Sequence, residues 1–182
     1  GIQAISIHCR TKHQMYNGSA RWEWIEKVKN NPRLKIPVFG NGDINTPEKA
    51  VDMMKKYGAD GAMIGRASIG HPFIFREVKH YMATGTHHAP PTLSERLDAA
   101  KTHLLKSVEW KGEKVGIFEM RRHYGPYFAG LPGIKPFRSR LVTAPTVSEI
   151  LGILNEIEEH YSKEENLVFA PVTVPVYPGL DG

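Results

Sequence analysis

Two strand-length apolar runs, each ending in a glycine turn and separated by one helix-length segment, constrain this chain more than any other feature. The first is Ile36-Pro37-Val38-Phe39, which enters Gly40-Asn41-Gly42-Asp43-Ile44; the second is Gly61-Ala62-Met63-Ile64, which enters Gly65-Arg66. Runs this short, bounded by proline and glycine, are strands rather than helices. Between them, Thr46-Pro47-Glu48 supplies an N-cap, a first-turn proline and an acid that complements the helix dipole. Ala50, Val51, Met54 and Tyr57 give that helix an apolar face, and Gly58 stops it. This is a parallel α/β order, and its paired turns match the place where adjacent loops of a (β/α)8 barrel close around a phosphate.

The chemistry of the turns agrees with that placement. Gly40 and Gly42 let a ligand approach the main chain closely, and bare amides near Gly65 can cradle an anion. Arg66 can close on the same anion with a forked pair of donors. The plain alternative is that these glycines only make tight turns. Two matched units in sequence favour the phosphate.

The N-terminal segment repeats the layout. Residues 2–7 alternate towards apolar character and run into His8-Cys9-Arg10-Thr11, then a polar loop through Asn17-Gly18. A helix is expected over residues 20–29, with Trp22, Ile25 and Val28 on one face. Strand, loop and helix therefore recur three times within residues 1–70. Three strands cannot close a barrel, and the chain begins at Gly1 almost inside a strand. The expectation is a C-terminal part of a longer protein, with barrel units over residues 1–85 and a last helix over 73–82.

Residues 86–91, Thr86-His87-His88-Ala89-Pro90-Pro91, read as a linker. The adjacent histidines have no acidic or cysteine partner at a metal-ligand spacing, so no metal is expected. Residues 92–161 then change to a purely helical period. Thr92 and Glu95 form a capping box, and Leu93, Leu97, Ala100, Leu104 and Val108 mark one face. A second helix starts near Lys114, a short one near Pro136, and Thr146 with Glu149 caps a last one whose stripe is Ile150, Leu151, Leu154 and Ile157. The expectation is a small antiparallel bundle packed against the barrel. An irregular tail, residues 162–182, follows, with Leu167, Val168 and Phe169 as candidates to dock on the fold.

No acidic residue lies between Glu119 and Glu149, a span that holds Arg121, Arg122, Lys135, Arg138 and Arg140 among aromatic residues. Arginines make forked contacts to phosphates, and aromatic faces stack on unpaired bases. The alternative is a solvated basic helix face over ordinary core aromatics.

His8-Cys9-Arg10-Thr11 with Tyr16-Asn17-Gly18, the Pro37 to Ile44 run, and the Asp60 to Arg66 run continuing to Pro72-Phe73-Ile74-Phe75 together resemble the tRNA-dihydrouridine synthases. The bacterial B-type subgroup is the most similar, over roughly residues 5–158. The resemblance implies an FMN-binding barrel and a helical tRNA-binding domain. The implied reaction is NADPH-dependent reduction of the C5–C6 bond of uridines in tRNA. It assigns Asn41, Gly42, Asp43, Gly65 and Arg66 to the FMN phosphate and ribityl region, and His8 to the flavin ring or its edge. Arg10 and Lys12 would face RNA or the flavin pocket, while Arg121, Arg122, Lys135 and Arg138 become the expected tRNA surface. The implied catalytic acid is a cysteine in the N-terminal half of the barrel. Cys9 has the wrong neighbours for that role and reads as a space-filling thiol.

Composition sets outer bounds. With 41% hydrophobic residues in 182, the chain has ample material for a core. A single cysteine excludes a disulfide framework and fits a reducing cytoplasm. No apolar run approaches the ~20 residues that span a bilayer. A net charge of +5 is compatible with a polyanionic partner. Two rivals remain: an FMN-barrel oxidoreductase acting on a small molecule, and an inactive RNA-binding fragment.

Overall fold

Parallel strands need helical crossovers, and the three apolar runs at the start of this chain are spaced to allow them. The computed structural model describes residues 1–15 and 17–162. It contains strands β1 (Ile5–His8), β2 (Val38–Asn41) and β3 (Gly61–Met63), paired parallel in the order β1-β2-β3. Helices α1 (Glu23–Lys29) and α2 (Pro47–Tyr57) make the crossovers, and a 3₁₀ turn (Arg66–Ser68) and α3 (Ile74–Thr84) follow β3. Helices α4 (Leu93–Lys111), α5 (Glu113–Tyr127), α6 (Lys135–Thr143) and α7 (Val147–Tyr161) complete the described chain. The protein is therefore α/β, mostly helical, with a three-stranded parallel sheet. Among the described residues two compact units result, Gly1–Ser68 with Phe73–His88, and Ile69–Pro72 with residues 89–162.

In the first unit, the register aligns Ile5 with Val38, and His8 with Asn41 and Met63. Alternation then sorts the side chains. Val38 and Gly40 are buried against Trp22 and its neighbours, while Ser6, His8, Phe39, Asn41, Gly61 and Met63 share the other face. That second face is open: Met63 is 52% exposed and Phe39 37%. The Asp60 carboxylate accepts from the Val38 amide at 2.7 Å and from Lys29 Nζ at 2.7 Å, which fixes the approach of β3 to the start of β2.

Sequence and structure differ at several boundaries. β1 starts at Ile5 rather than Ile2, because the first ladder hydrogen bond of this strand runs from the Ile5 amide to the Pro37 carbonyl. β2 reaches Asn41, so this residue ends a strand instead of lying in the turn beyond it. α1 opens at Glu23 rather than residue 20, because the Ala20 amide is taken by Asp43 and Trp22 turns into the core as the cap.

The second unit closes on itself. Leu97, Leu104, Met120, Tyr124, Phe128, Leu141, Ile150, Leu154 and Ile157 from all four helices form one buried cluster. Thr92 and Glu95 make the expected reciprocal capping box, and Thr146 accepts from the Glu149 amide at the start of α7. α4 and α5 cross so closely that a Cβ on Gly116 would stand 2.8 Å from the Val108 main chain. The tail expected over residues 162–182 lies outside the described residues from 163 onward. Among the described residues no helix is long and apolar enough to cross a membrane.

Candidate functional site

The carboxyl ends of the three strands carry one row of side chains. Asn41 Nδ2 donates to the Met63 carbonyl at 2.7 Å, and its Oδ1 faces His8 Nδ1 across the hydrogen bond. His8, Asn41 and Met63 are register partners, so a single amide ties β1, β2 and β3 together at this end. The imidazole of His8 is held on the open face, with its Nε2 edge away from that bond.

Just beyond β2, Asp43 gathers the loops that follow all three strands. Arg10 Nε donates to Asp43 Oδ1 at 3.3 Å, and Arg10 Nη2 donates to Oδ1 at 2.9 Å and to Oδ2 at 2.8 Å. The Ala20 amide donates to Oδ2 at 2.7 Å, and Arg66 Nη2 lies 3.4 Å from Oδ1. Burial alone pushes the Asp43 carboxyl up, but the Ala20 amide and the Arg10 guanidinium outweigh it and hold it below the usual carboxylate range. The carboxylate is the hub of the site.

Arg10, expected to face RNA or the flavin pocket, is turned inward onto Asp43. Its side chain is 5% exposed, and its remaining donors reach the carbonyls of Met15, Asn17 and Gly18 at 3.3, 2.9 and 2.8 Å. It clamps its own loop to Asp43. Lys12, on that loop, is exposed.

The turn between Asn41 and Asp43 depends on two groups that sequence reasoning missed in this role. Trp22 Nε1 donates to the Gly42 carbonyl at 2.9 Å, and the Trp22 ring occupies the space that a Cβ on Gly40 would need. Gly42 has φ +137°, and a Cβ there would stand 2.7 Å from that of Ala20. The legible signal was a tryptophan, a large ring with one N–H donor, placed one βα unit before two closely spaced glycines; its target needed the register. Asp43 itself has φ 57°, a left-handed conformation that aspartate tolerates better than most residues.

Across the turn, a Cβ on Gly65 would meet nothing within 4 Å, so the main chain there is open to approach. The Arg66 side chain is 38% exposed, against 19% for Asp43. Arg10 and Arg66 both reach the Asp43 carboxylate, and Lys49 adds a further positive charge near it. Cys9 is buried beside this turn with Sγ 3.7 Å from the Ile7 carbonyl, and burial pushes its thiol up to about 11. It fills space.

In the second unit, Arg121, Arg122 and Arg138 line one open groove of about 760 Å³ between the end of α5 and α6, floored by Gly125, Pro126 and Phe128. Lys135 is exposed at the first turn of α6 but is not part of the lining. Arg140 pairs bidentately with Glu156, at 2.5 and 2.8 Å. Beside the groove arginines, His103 and His123 stack edge to face at 4.5 Å between ring centres. Burial, then each other's charge and that of Arg122, pushes His123 down to about 4, and burial then Arg122 lowers His103. No group of three or more His, Cys, Asp or Glu side chains suited to a metal ion occurs among the described residues.

A parallel α/β unit whose carboxyl-end loops converge on an arginine-held carboxylate, joined to a four-helix unit with an arginine groove, defines the class. A family model for dihydrouridine synthases matches residues 1–166, and the chain belongs to that family. It is 40% identical over 156 residues to a probable tRNA-dihydrouridine synthase 1 of Synechocystis, covering 86% of this chain and 43% of the relative. Identity to tRNA-dihydrouridine synthase B of Pseudomonas aeruginosa is 42% over 140 residues, covering 77% and 42%. A probable tRNA-dihydrouridine synthase of Rickettsia conorii is 37% identical over 162 residues, covering 89% and 47%. The chain thus spans less than half the length of these curated relatives.

Proposed function

We propose that this chain forms the last three βα units of a (β/α)8 barrel and the helical domain that follows. The parent protein, on this reading, is a cytoplasmic flavoenzyme that reduces uridine to 5,6-dihydrouridine in tRNA with NADPH as reductant. Residues 1–85 belong to the barrel, 86–91 to a linker and 92–161 to the tRNA-binding domain. The observation that carries the reading is the Asp43 hub beside the open main chain at Gly65. It presents the Arg66 guanidinium, 38% exposed, where an FMN phosphate can reach backbone amides.

The residues fit such a group. Arg66 holds the phosphate with the amides near Gly65, while Asn41, Gly42 and Asp43 shape the facing turn. Asp43 serves as an organiser, because a carboxylate repels a phosphate unless its charge is already matched, here by Arg10. His8, fixed by Asn41, lies at the same strand ends and orients the edge of the ring system. When bound, an FMN held by these residues would supply the hydride chemistry for reduction of the uracil ring. The proton at C5 is assigned to a cysteine outside this chain, since Cys9 is buried with its thiol turned to the Ile7 carbonyl. Lys12, Arg121, Arg122, Lys135 and Arg138 face the RNA, and Arg10 contributes by holding the loop that carries Lys12. The isolated chain, lacking that acid, is inactive.

The test is flavin content. Purified parent protein is expected to carry FMN non-covalently, and Arg66→Ala to lose it while the fold persists. A parent that carries no flavin and takes up none on incubation would overturn the reading. Flavin binding without salt-sensitive tRNA binding would move the substrate to a small molecule.

A further inference from the structure

α5 sorts its apolar residues by period, with two exceptions, Val115 at 47% exposure and the larger Phe118. Ile117 and Met120 are buried in the helical core at 3% and 1% exposure, but Phe118 is 68% exposed. An exposed aromatic ring contributes little to the core, and this one is not left alone. The Arg121 guanidinium carbon lies 5.6 Å from its ring centre. Arg121 also lines the groove with Arg122 and Arg138, so one guanidinium is shared between the ring and the groove wall.

We propose that Phe118 is a stacking platform for an unpaired base of the RNA whose phosphates the groove arginines hold. The inference rests on the reading of the groove as the RNA surface. Arginines alone would serve any polyanion, since they read phosphates without reading bases. A ring beside them adds a partner for a base face, and only an unpaired, splayed-out nucleotide offers that face. In a duplex both faces of each base are covered by its neighbours. Charge complementarity supports the same occupant over a protein: residues 120–148 contain no acid, and Arg121 and Arg122 sit one turn from the ring.

The experiment measures binding of the 182-residue chain to an unmodified tRNA transcript, and to a fully paired RNA duplex, across a salt series. Phe118→Leu keeps an apolar side chain at an exposed position, so folding is preserved; Phe118→Trp restores a ring. Stacking predicts that Phe118→Leu weakens tRNA binding roughly ten-fold with an unchanged salt slope. Phe118→Trp recovers the loss, and duplex binding does not respond to either change. Arg121, Arg122 and Arg138 changed together to Ala lower the slope instead. If that triple variant loses slope while Phe118→Leu binds tRNA like the parent chain, the platform is wrong and the groove reading survives. If the triple variant keeps the full slope, or no tRNA binds, both fall. Equal loss on duplex and tRNA also overturns the platform. So does a Phe118→Leu effect confined to self-association, which would assign the ring to a second copy.

Discussion

The two units of this chain bury their apolar residues in opposite ways. The helical unit surrounds its core, with side chains from α4, α5, α6 and α7 meeting in one closed cluster. The sheet unit covers one face only and leaves Phe39 and Met63 exposed beside His8 and Asn41 on the other. Where packing is one-sided, polar clamps supply the order: Asn41 across the strand ends, Asp60 below them, and Asp43 across the loops. A region with few apolar partners can hold a precise site only through directional bonds, and those bonds respond to charge and pH in a way a core does not.

The largest effect expected from breaking this contrast is in the core. Leu104→Ala should cost the helical unit roughly 3 to 4 kcal/mol, because Leu104 is wholly buried. Hydrogen exchange resolved by segment should show the loss in α4 to α7 and not in β1 to β3. Asp43→Ala should do the reverse, at roughly 2 to 3 kcal/mol, since it strands the Arg10 guanidinium in a nearly closed site. Equal loss of protection in both units for either variant would show that the contrast is false.

Acid should sharpen the difference. A folded pKa below the unfolded one gives stability that is present above the unfolded value and disappears as pH falls through the folded value. For His123, ordinarily 6.5 and here about 4, the helical unit should therefore weaken between those limits, with His103 acting in the same direction. The slope is at most about 1.4 kcal/mol per pH unit for each histidine. Asp43, lowered from 3.8, places the acid loss of the sheet unit at lower pH. Circular dichroism of α-helix loss against pH, compared with exchange at β2, checks the order. Sheet protection disappearing first, near neutral pH, would contradict it.

The smallest expected change in stability is from Arg66→Ala. Its side chain is 38% exposed, and pairs at this exposure contribute little, so the cost should be within about 1 kcal/mol. Thermal unfolding checks this, and a large drop would make Arg66 a structural clamp like Arg10 instead of a ligand-facing cation.

Much of the architecture was legible because its signals are local. The Thr46-Pro47-Glu48 start, the Gly58 stop, the Thr92 and Glu95 box and the core stripes of α4 and α7 appear where the pattern put them. Boundaries that depended on partners were not. Asn41 reads as a turn residue until the register pairs it with His8 and Met63, and residues 20–22 read as helix until the Ala20 amide is seen on Asp43. In the candidate site, residue types were legible but their duties were not. Arg10 read as a cation facing RNA or the flavin pocket and is a clamp on Asp43, while Trp22 looked like a helix-face residue and supports the Gly40 to Gly42 turn.

The βα period, the helical second half, the glycine turns and the acid-free arginine span are written in neighbouring residues, through backbone sterics, capping and spacing. Which charges meet is a matter of long-range packing. Arg10 and Asp43 lie 33 residues apart, and nothing local distinguishes their pairing from a contact with solvent or ligand. The parallel register brings them together, and in the low-dielectric space under the loops that one pairing fixes which cation is held inside and which, Arg66, remains at the surface.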